Sequence, residues 1–329
     1  MSFLLDAKAE VVSSQLPEKD CCAKAMLCGI LRTAGNVSIQ NTHYCIQVST
    51  ELEGLFGVLD QLIKRLYNQE NTLSLRQEEK QNKAIRYTIT INQQLSNQLL
   101  YDCFIFKKNY SGDTEIVKGI SRHIITDSCC ERAFITGAFL GCASANIVIK
   151  ELNNLQKHAG GYHLEFVFGQ YELACDFVHL LADCGINAKT MQRKKLFVVY
   201  LKEAEIVSDL LALVGANNAV MTLQNEFAVR EVRNQLNRQL NCINSNLQKM
   251  VSASVKQIDA IQYIDDTIGL ESLSPSLYEL CLLRMANPDE NYENLAKLMT
   301  TPLTKSGVNH RLRKIVEMAD KLRKKNEQQ

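Results

Sequence analysis

The sequence is poor in chain breakers and has no long apolar run. Only 4 of its 329 residues are proline while 46% are apolar or aromatic. That balance excludes a disordered chain and predicts two domains, or one large and one small, each with its own core. No apolar run approaches the roughly 18 residues that a membrane span requires. The first ten positions carry Asp6, Lys8 and Glu10 where a signal peptide needs an apolar stretch, so a cytosolic location and no membrane partner are expected. Cysteines at the C-x2-4-C spacing of zinc sites are absent. The 12 cysteines fall instead into the adjacent pairs Cys21-Cys22 and Cys129-Cys130 or stand singly. In a chain this large they are expected as reduced, small buried hydrophobes, with no metal site and no cofactor, because adjacent residues point to different sides of a helix.

Charge of one sign is also scarce overall, at a net +1, but its distribution is uneven. Between positions 302 and 325, Lys305, Arg311, Arg313, Lys314, Lys321, Arg323, Lys324 and Lys325 face only Glu317 and Asp320. A basic cluster at one end of a chain is the electrostatic footprint of nucleic-acid binding.

The first two thirds contain a repeat. Laying Asp20-Cys21-Cys22 over Ser128-Cys129-Cys130 also brings Ala25 onto Ala133, Gly29 onto Gly137 and Leu31 onto Phe139. Each segment reads as a helix opened by a capping residue, Asp20 in one and Asp127 or Ser128 in the other. Small residues four apart share one helical face, which lets two helix backbones approach closely. The first copy continues with an alternating strand at 44–49, a helix at 52–66 and a hairpin of 72–76 with 85–91 turning at 80–82. The second has a strand at 163–168, a helix at 171–184, strands at 187–191 and 195–201 and a helix at 203–214, with an insertion at 152–161. Both copies read as α-β-β-α-β-β-α.

These segments resemble the LAGLIDADG homing endonucleases, in which two small-residue helices pack along a pseudo-two-fold axis above a saddle of sheets. The matching runs are Leu27-Cys28-Gly29-Ile30-Leu31-Arg32-Thr33-Ala34-Gly35 and Ile135-Thr136-Gly137-Ala138-Phe139-Leu140-Gly141-Cys142-Ala143. The resemblance implies a metal-binding acid at the eighth place of each motif, and those places hold Ala34 and Cys142. Phosphodiester cleavage on this fold needs a carboxylate from each helix to hold divalent metal. The domain is therefore expected to be a binding scaffold that does not cut.

Over 226–263, apolar residues recur at spacings of three and four, predicting one or two long amphipathic helices. A polar stripe of Arg230, Asn234, Asn237, Asn241 and Asn244, with Arg233 and Arg238 beside it, runs along the same segment. Arg230, Asn234, Arg238 and Asn241 are candidates for contact with DNA phosphates or with another domain.

The C-terminal region reads as three short helices. Ser274-Pro275 opens the first and Asn287-Pro288 stops it, a second covers about 292–298, and a third begins near Lys305. This spacing makes a helix-turn-helix whose third helix is the candidate for the major groove. Val308, Leu312, Ile315, Ala319 and Leu322 form its buried stripe, with Ser306, His310 and Arg313 opposite and Asn309 and Lys314 flanking. Arginine pairs with guanine and asparagine with adenine, and Ser306-Gly307 at the helix start suits a phosphate. The expected DNA-contacting set is Lys305, Ser306, Asn309, His310, Arg311, Arg313 and Lys314.

The run Lys305-Ser306-Gly307-Val308-Asn309-His310-Arg311-Leu312-Arg313-Lys314-Ile315 also resembles the C-terminal signature of the WhiA family of sporulation and cell-division regulators. That resemblance extends to Met1-Ser2-Phe3, the Cys-Cys-opened repeats, 230–246 and Tyr263-Ile264-Asp265-Asp266-Thr267-Ile268-Gly269-Leu270. Cys142 and Ala143 depart from the family's glycine-rich end of the second repeat. The resemblance implies an α+β chain in which a degenerate LAGLIDADG-like domain precedes an all-α helix-turn-helix domain. The expected layout is an N-terminal helix or arm at 1–19 and a duplicated domain at 20–217, with repeats at about 20–110 and 128–217. A helical linker at 218–272, the helix-turn-helix at 273–323 and a basic tail at 324–329 follow. The expected function is sequence-specific regulation of transcription at promoter DNA, without nuclease activity, in the cytoplasm at the nucleoid. Another transcription factor or RNA polymerase is the candidate protein partner. A metal-dependent endonuclease recruiting acids from elsewhere, or a structural nucleoid or division protein, are the competing readings.

Overall fold

The computed structural model describes residues 2–40, 43–79, 85–147 and 161–326. The hairpin turn expected at 80–82 and the insertion at 152–161, apart from Gly161, lie outside these residues. The chain divides into two compact units, one ending at Val229 and one starting at Arg230. Among the described residues no helix is long and apolar enough to cross a membrane.

The first unit opens with α1 (Phe3–Ser13). The first copy of the repeat follows as α2 (Asp20–Ala34), β1 (Gly35–Gln40), β2 (His43–Thr50), α3 (Leu55–Tyr67), β3 (Leu73–Glu79), β4 (Ile85–Ile91) and α4 (Gln93–Asp102). A short hairpin of β5 (Phe106–Lys108) and β6 (Thr114–Ile116) leads into the second copy. This consists of α5 (Ser128–Cys142), β7 (Ala143–Asn146), β8 (His163–Phe168), α6 (Tyr171–Asp183), β9 (Lys189–Arg193), β10 (Leu196–Leu201) and α7 (Ala204–Leu213). The two antiparallel sheets share one topology, β1-β2-β4-β3 and β7-β8-β10-β9. Strands β1 and β7 begin directly where α2 and α5 end. Their short, polar sequences carry little alternation, which is why the pattern did not locate them.

The α2–α5 contact organises the unit. A Cβ built on Gly29 would lie 2.4 Å from the carbonyl oxygen of Phe134, and one on Gly137 would lie 2.2 Å from that of Met26. Backbone therefore meets backbone at the crossing, and the two glycines face each other with no room for a methyl group. Around them Ala25, Leu27, Ile30, Ile135, Ala138 and Phe139 have no exposed surface, so both helices are sunk in the core. The sheets lie outside this pair with one face inward. On β8, Leu164, Phe166 and Phe168 are buried while His163, Glu165 and Val167 alternate outward, the period-2 signature of a half-covered strand.

The start of the first helix differs from expectation. Asp20 is its first helical residue, the cap position falls to Lys19, and no side chain caps the turn. The Asp20 carboxylate instead pairs with Arg65 Nε of α3 at 2.8 Å. Asp127 occupies the corresponding cap position of α5, also without a capping bond from its side chain.

Helix α8 (Asn217–Ile268) is one 52-residue element. Its start, through Ala219 and Leu223, joins the first core, and its end, through Ala260, Ile261 and Ile264, joins the second. The apolar stripe between gives the amphipathic pattern expected of a long helix. Val232, Leu236, Leu240, Ile243 and Leu247 are nevertheless 52–61% exposed.

The second unit continues with α9 (Pro275–Ala286), α10 (Tyr292–Leu298) and α11 (Lys305–Asn326). Ser274 precedes Pro275 at the first helical position of α9, as its sequence implies. Asn291 caps α10 by accepting from the amides of Glu293 and Asn294. In the last turn of α9 lies Arg284, wholly buried. Its Nε donates to Gln257 Oε1 at 2.9 Å and its Nη1 to the Glu290 carbonyl at 2.6 Å. Gln257 Nε2 donates onward to the Tyr292 hydroxyl at 2.9 Å, and Ser254 Oγ donates to the Pro288 carbonyl at 2.6 Å. The cation therefore fastens the end of α8 and the loop before α10 through neutral acceptors, without a carboxylate.

Three outcomes test this packing. Gly29→Ala should force α2 and α5 apart and cost about 3 kcal/mol in urea unfolding. Gly57→Ala in α3, where an added Cβ meets nothing within 4 Å, should instead stabilise by about 0.5–1 kcal/mol. Arg284→Ala should destabilise the second unit by about 3 kcal/mol, because it leaves a cavity and strips the Gln257 and Glu290 oxygens of their donor. A denaturation midpoint for Arg284→Ala within error of the parent would refute that role.

Candidate nucleic-acid interface and the ends of the paired helices

Helix α11 starts where Thr304 Oγ1 accepts the Gly307 amide at 3.1 Å. The turn before it is tied to α9, since Glu279 Oε1 accepts the Thr300 amide at 2.5 Å. That hydrogen bond, helped by the charge of Arg311, holds the Glu279 carboxyl below the usual range. Val308, Leu312, Ile315 and Ala319 have no exposed surface and anchor α11 in the second core, with Leu322 packed alongside. The opposite side leaves Lys305, Ser306, Asn309, His310, Arg313 and Lys314 exposed. Asn309 and Arg313 line a shallow cleft of about 330 Å³ together with Lys256 and Tyr292.

Two members of the basic cluster are turned back onto the protein. Arg311 is half-buried and donates to Ser276 Oγ of α9, so it braces α11 rather than facing outward. Arg323 pairs with Asp259 at 2.6 Å and stacks over the Tyr263 ring at 4.8 Å, tying the far end of α11 to α8. Lys305, Arg313, Lys314, Lys321, Lys324 and Lys325 remain exposed. Glu279, Arg284 and Gln257 fix this unit's geometry but were missed from sequence, because each acts on residues 21 to 35 positions away. On α8, Asn234, Arg238 and Asn241 are exposed and Arg230 is half-buried.

In the first unit, the motif ends that would carry nuclease acids hold Ala34 and Cys142, both half-buried. A Cβ on Gly141 would lie 3.4 Å from Ala34 Cβ, so the two ends remain close together. Burial pushes the Cys142 thiol up to about 11. Next to it Lys8 of α1 reaches the Leu140 carbonyl at 3.2 Å, on the last turn of α5. Burial lowers its ammonium to about 8. A cation there suits the negative pole of the helix. Lys8, Glu51, Arg86 and Cys142 share a cleft of about 370 Å³. Lys8 and Arg86 therefore stand in one cleft with the carboxylate of Glu51 at this end of the helix pair.

The sheets carry local charge pairs on their exposed sides. Arg76 pairs with Glu78 at 3.0 Å, and Arg193 with Glu165 at 3.2 Å. Burial alone would raise the Glu165 carboxyl, but hydrogen bonds from His163 and Arg193 outweigh it and bring the group below its usual range. These arginines are partly neutralised where they stand.

Comparison with known proteins agrees with this architecture. The WhiA N-terminal LAGLIDADG-like domain matches residues 20–106, the WhiA LAGLIDADG-like domain residues 131–233, and the WhiA C-terminal HTH domain residues 236–319. The chain is 36% identical to a probable cell division protein WhiA of Shouchella clausii over 98% of this chain and 95% of that protein. It is 34% identical to a probable cell division protein WhiA of Bacillus cytotoxicus, over 98% of each. The crystal structure of full-length DUF199/WhiA from Thermotoga maritima has the same fold, with a TM-score of 0.54 at 22% identity over 96% of this chain and 97% of that one. With a degenerate pair of LAGLIDADG-like repeats and a C-terminal helix-turn-helix unit, this chain belongs to the WhiA family.

Proposed function

We propose that this protein is a sequence-specific, double-stranded-DNA-binding regulator of transcription, acting on cell division, chromosome segregation or sporulation genes, and that it does not cut DNA. The observation that carries the reading is the exposed face of α11, where Ser306, Asn309, His310, Arg313 and Lys314 stand opposite a fully buried stripe. Arg313 and Asn309 have the donor and acceptor geometry to read base edges, while Lys305 and Lys314 supply phosphate contacts. Lys321, Lys324 and Lys325 extend the cationic surface and contribute to sequence-independent binding. Arg311 serves this interface by bracing α11 against Ser276.

Arg230, Asn234, Arg238 and Asn241 on α8 form a secondary polar surface for DNA phosphates or for another domain. The paired-helix domain is the surface for a protein partner such as another transcription factor or RNA polymerase. Its charge pairs on the sheets, and Ala34 and Cys142 in place of acids at the motif ends with Lys8 beside them, favour a scaffold over a nuclease. The protein's place on this reading is the cytoplasm, at the nucleoid.

Binding sites selected from fragmented genomic DNA supply the cognate sequence for a direct test. Arg313→Ala should weaken cognate binding by about 1–3 kcal/mol and leave random DNA nearly unaffected. Lys324→Ala should weaken both equally and flatten the salt dependence by about one counterion. Equal losses on cognate and random DNA for Arg313→Ala would remove base readout from that residue. Plasmid incubated with the protein and magnesium should stay supercoiled; sequence-specific nicking abolished by EDTA would establish an endonuclease instead.

A further inference from the structure

At the end of the helix pair remote from Ala34 and Cys142, the two adjacent cysteine pairs meet. Cys21 and Cys22 lie in the first turn of α2, and Cys129 and Cys130 in the first turn of α5. Their four sulfur atoms all lie within 4.8 Å of one another, with Cys21 Sγ and Cys22 Sγ 3.9 Å apart. Cys22 and Cys130 are buried, and Cys21 and Cys129 are half-buried at the rim. The spacing rule that argued against a metal site considers one segment at a time. Adjacent cysteines do diverge around a single helix, but here each pair straddles the seam with a second helix, and the pseudo-two-fold relation supplies the matching pair.

The dimensions fit one ion. Four thiolates around zinc at about 2.3 Å form a tetrahedron with sulfur-to-sulfur edges of about 3.8 Å. The observed set needs to contract only slightly. Its chemistry is also selective, because four soft sulfur ligands without a carboxylate favour zinc over magnesium or calcium. Both pairs lie in first turns, at the positive poles of α2 and α5, where negative charge on a metal-bound sulfur is offset. Thr126 Oγ1 lies 3.5 Å from Cys130 Sγ and provides one further polar contact. A disulfide within either pair is disfavoured, since neighbouring Cα atoms are about 3.8 Å apart and unstrained disulfides need about 4.4–6.8 Å.

We propose that Cys21, Cys22, Cys129 and Cys130 bind one zinc(II) ion as a closed tetrathiolate clasp joining the two repeats at the N-terminal ends of α2 and α5. Binding releases four protons from four thiols and leaves a site of net charge −2, compensated by the two helix poles. All four positions around the metal are filled by protein, so the ion is structural and has no place for substrate. It fastens α2 to α5 at one end, while the Gly29–Gly137 contact fastens them at the middle. The stability of the first unit then increases with bound metal, because the unfolded chain holds the two pairs far apart and binds it more weakly.

The test uses the full chain, purified under reducing conditions and stripped of metal. Anaerobic titration with cobalt(II) should produce the sulfur-to-cobalt charge-transfer and intense d–d bands of a tetrahedral thiolate site, saturating at one cobalt per chain and bleached by zinc. Cys129→Ser should lose most of the thiolate signature, and Cys242→Ser, at an exposed position outside the cluster, should keep it. Zinc should raise the melting temperature of the parent and of Cys242→Ser. Absence of the bands in the folded parent would overturn the proposal without reference to any variant. So would an intact mass two hydrogens lighter with peptides linking 21 or 22 to 129 or 130 in protein isolated with its thiols blocked, which would make the cluster a cross-helix disulfide.

Discussion

The contact between Gly29 and Gly137 is the constraint on which the first unit rests. With no side chain on either residue, α2 and α5 approach until the carbonyls of Phe134 and Met26 occupy the space a methyl group would need. Close approach fixes the relation between the repeats, and each sheet inherits its position because β1 and β7 start directly at the helix ends. Dispersion between closely packed backbones and burial of the flanking Leu27, Ile30, Ile135 and Phe139 hold the contact.

The two ends of this helix pair have diverged in chemistry. At one end the places that carry acids in nucleases of this fold hold Ala34 and Cys142, with Lys8 lying against the last turn of α5. The other end gathers four thiols in the first turns. The packing surface between the ends needs small residues irrespective of what either end does. The second unit is held differently, by a buried guanidinium that donates to a side-chain amide and a backbone carbonyl and so couples the end of α8 to the loop before α10.

Much of this was legible along the chain. The duplication, strand β4 at Ile85–Ile91, strand β8 at His163–Phe168 and the three C-terminal helices follow from the repeated small and cysteine residues, from apolar spacing and from Pro275, Asn287 and Pro288. The division of α11 into a buried stripe and a polar face was equally local, because residues three and four apart share a side. Strands β1 and β7 escaped because they are short and polar. Asp20 looked like a cap, yet its carboxylate is drawn to Arg65, 45 positions on, and a distant partner outweighs a local preference. The exposed stripe from Val232 to Leu247 shows the converse, since periodicity specifies a face but not whether the chain covers it.

The sequence by itself determined most of the elements, their duplication, the identity of Ala34 and Cys142 at the motif ends and the concentration of positive charge in α11, because each is written in residue identity or in spacing within a turn or two. Tertiary structure alone decided which cations remain outside. Arg311 and Arg323 are spent on Ser276 and Asp259 while Arg313 and the lysines face outward. It also brought Lys8 to the end of α5 and two cysteine pairs 108 residues apart into one cluster. These outcomes depend on how helices cross, and the crossing is set by shape complementarity between surfaces that no local pattern records.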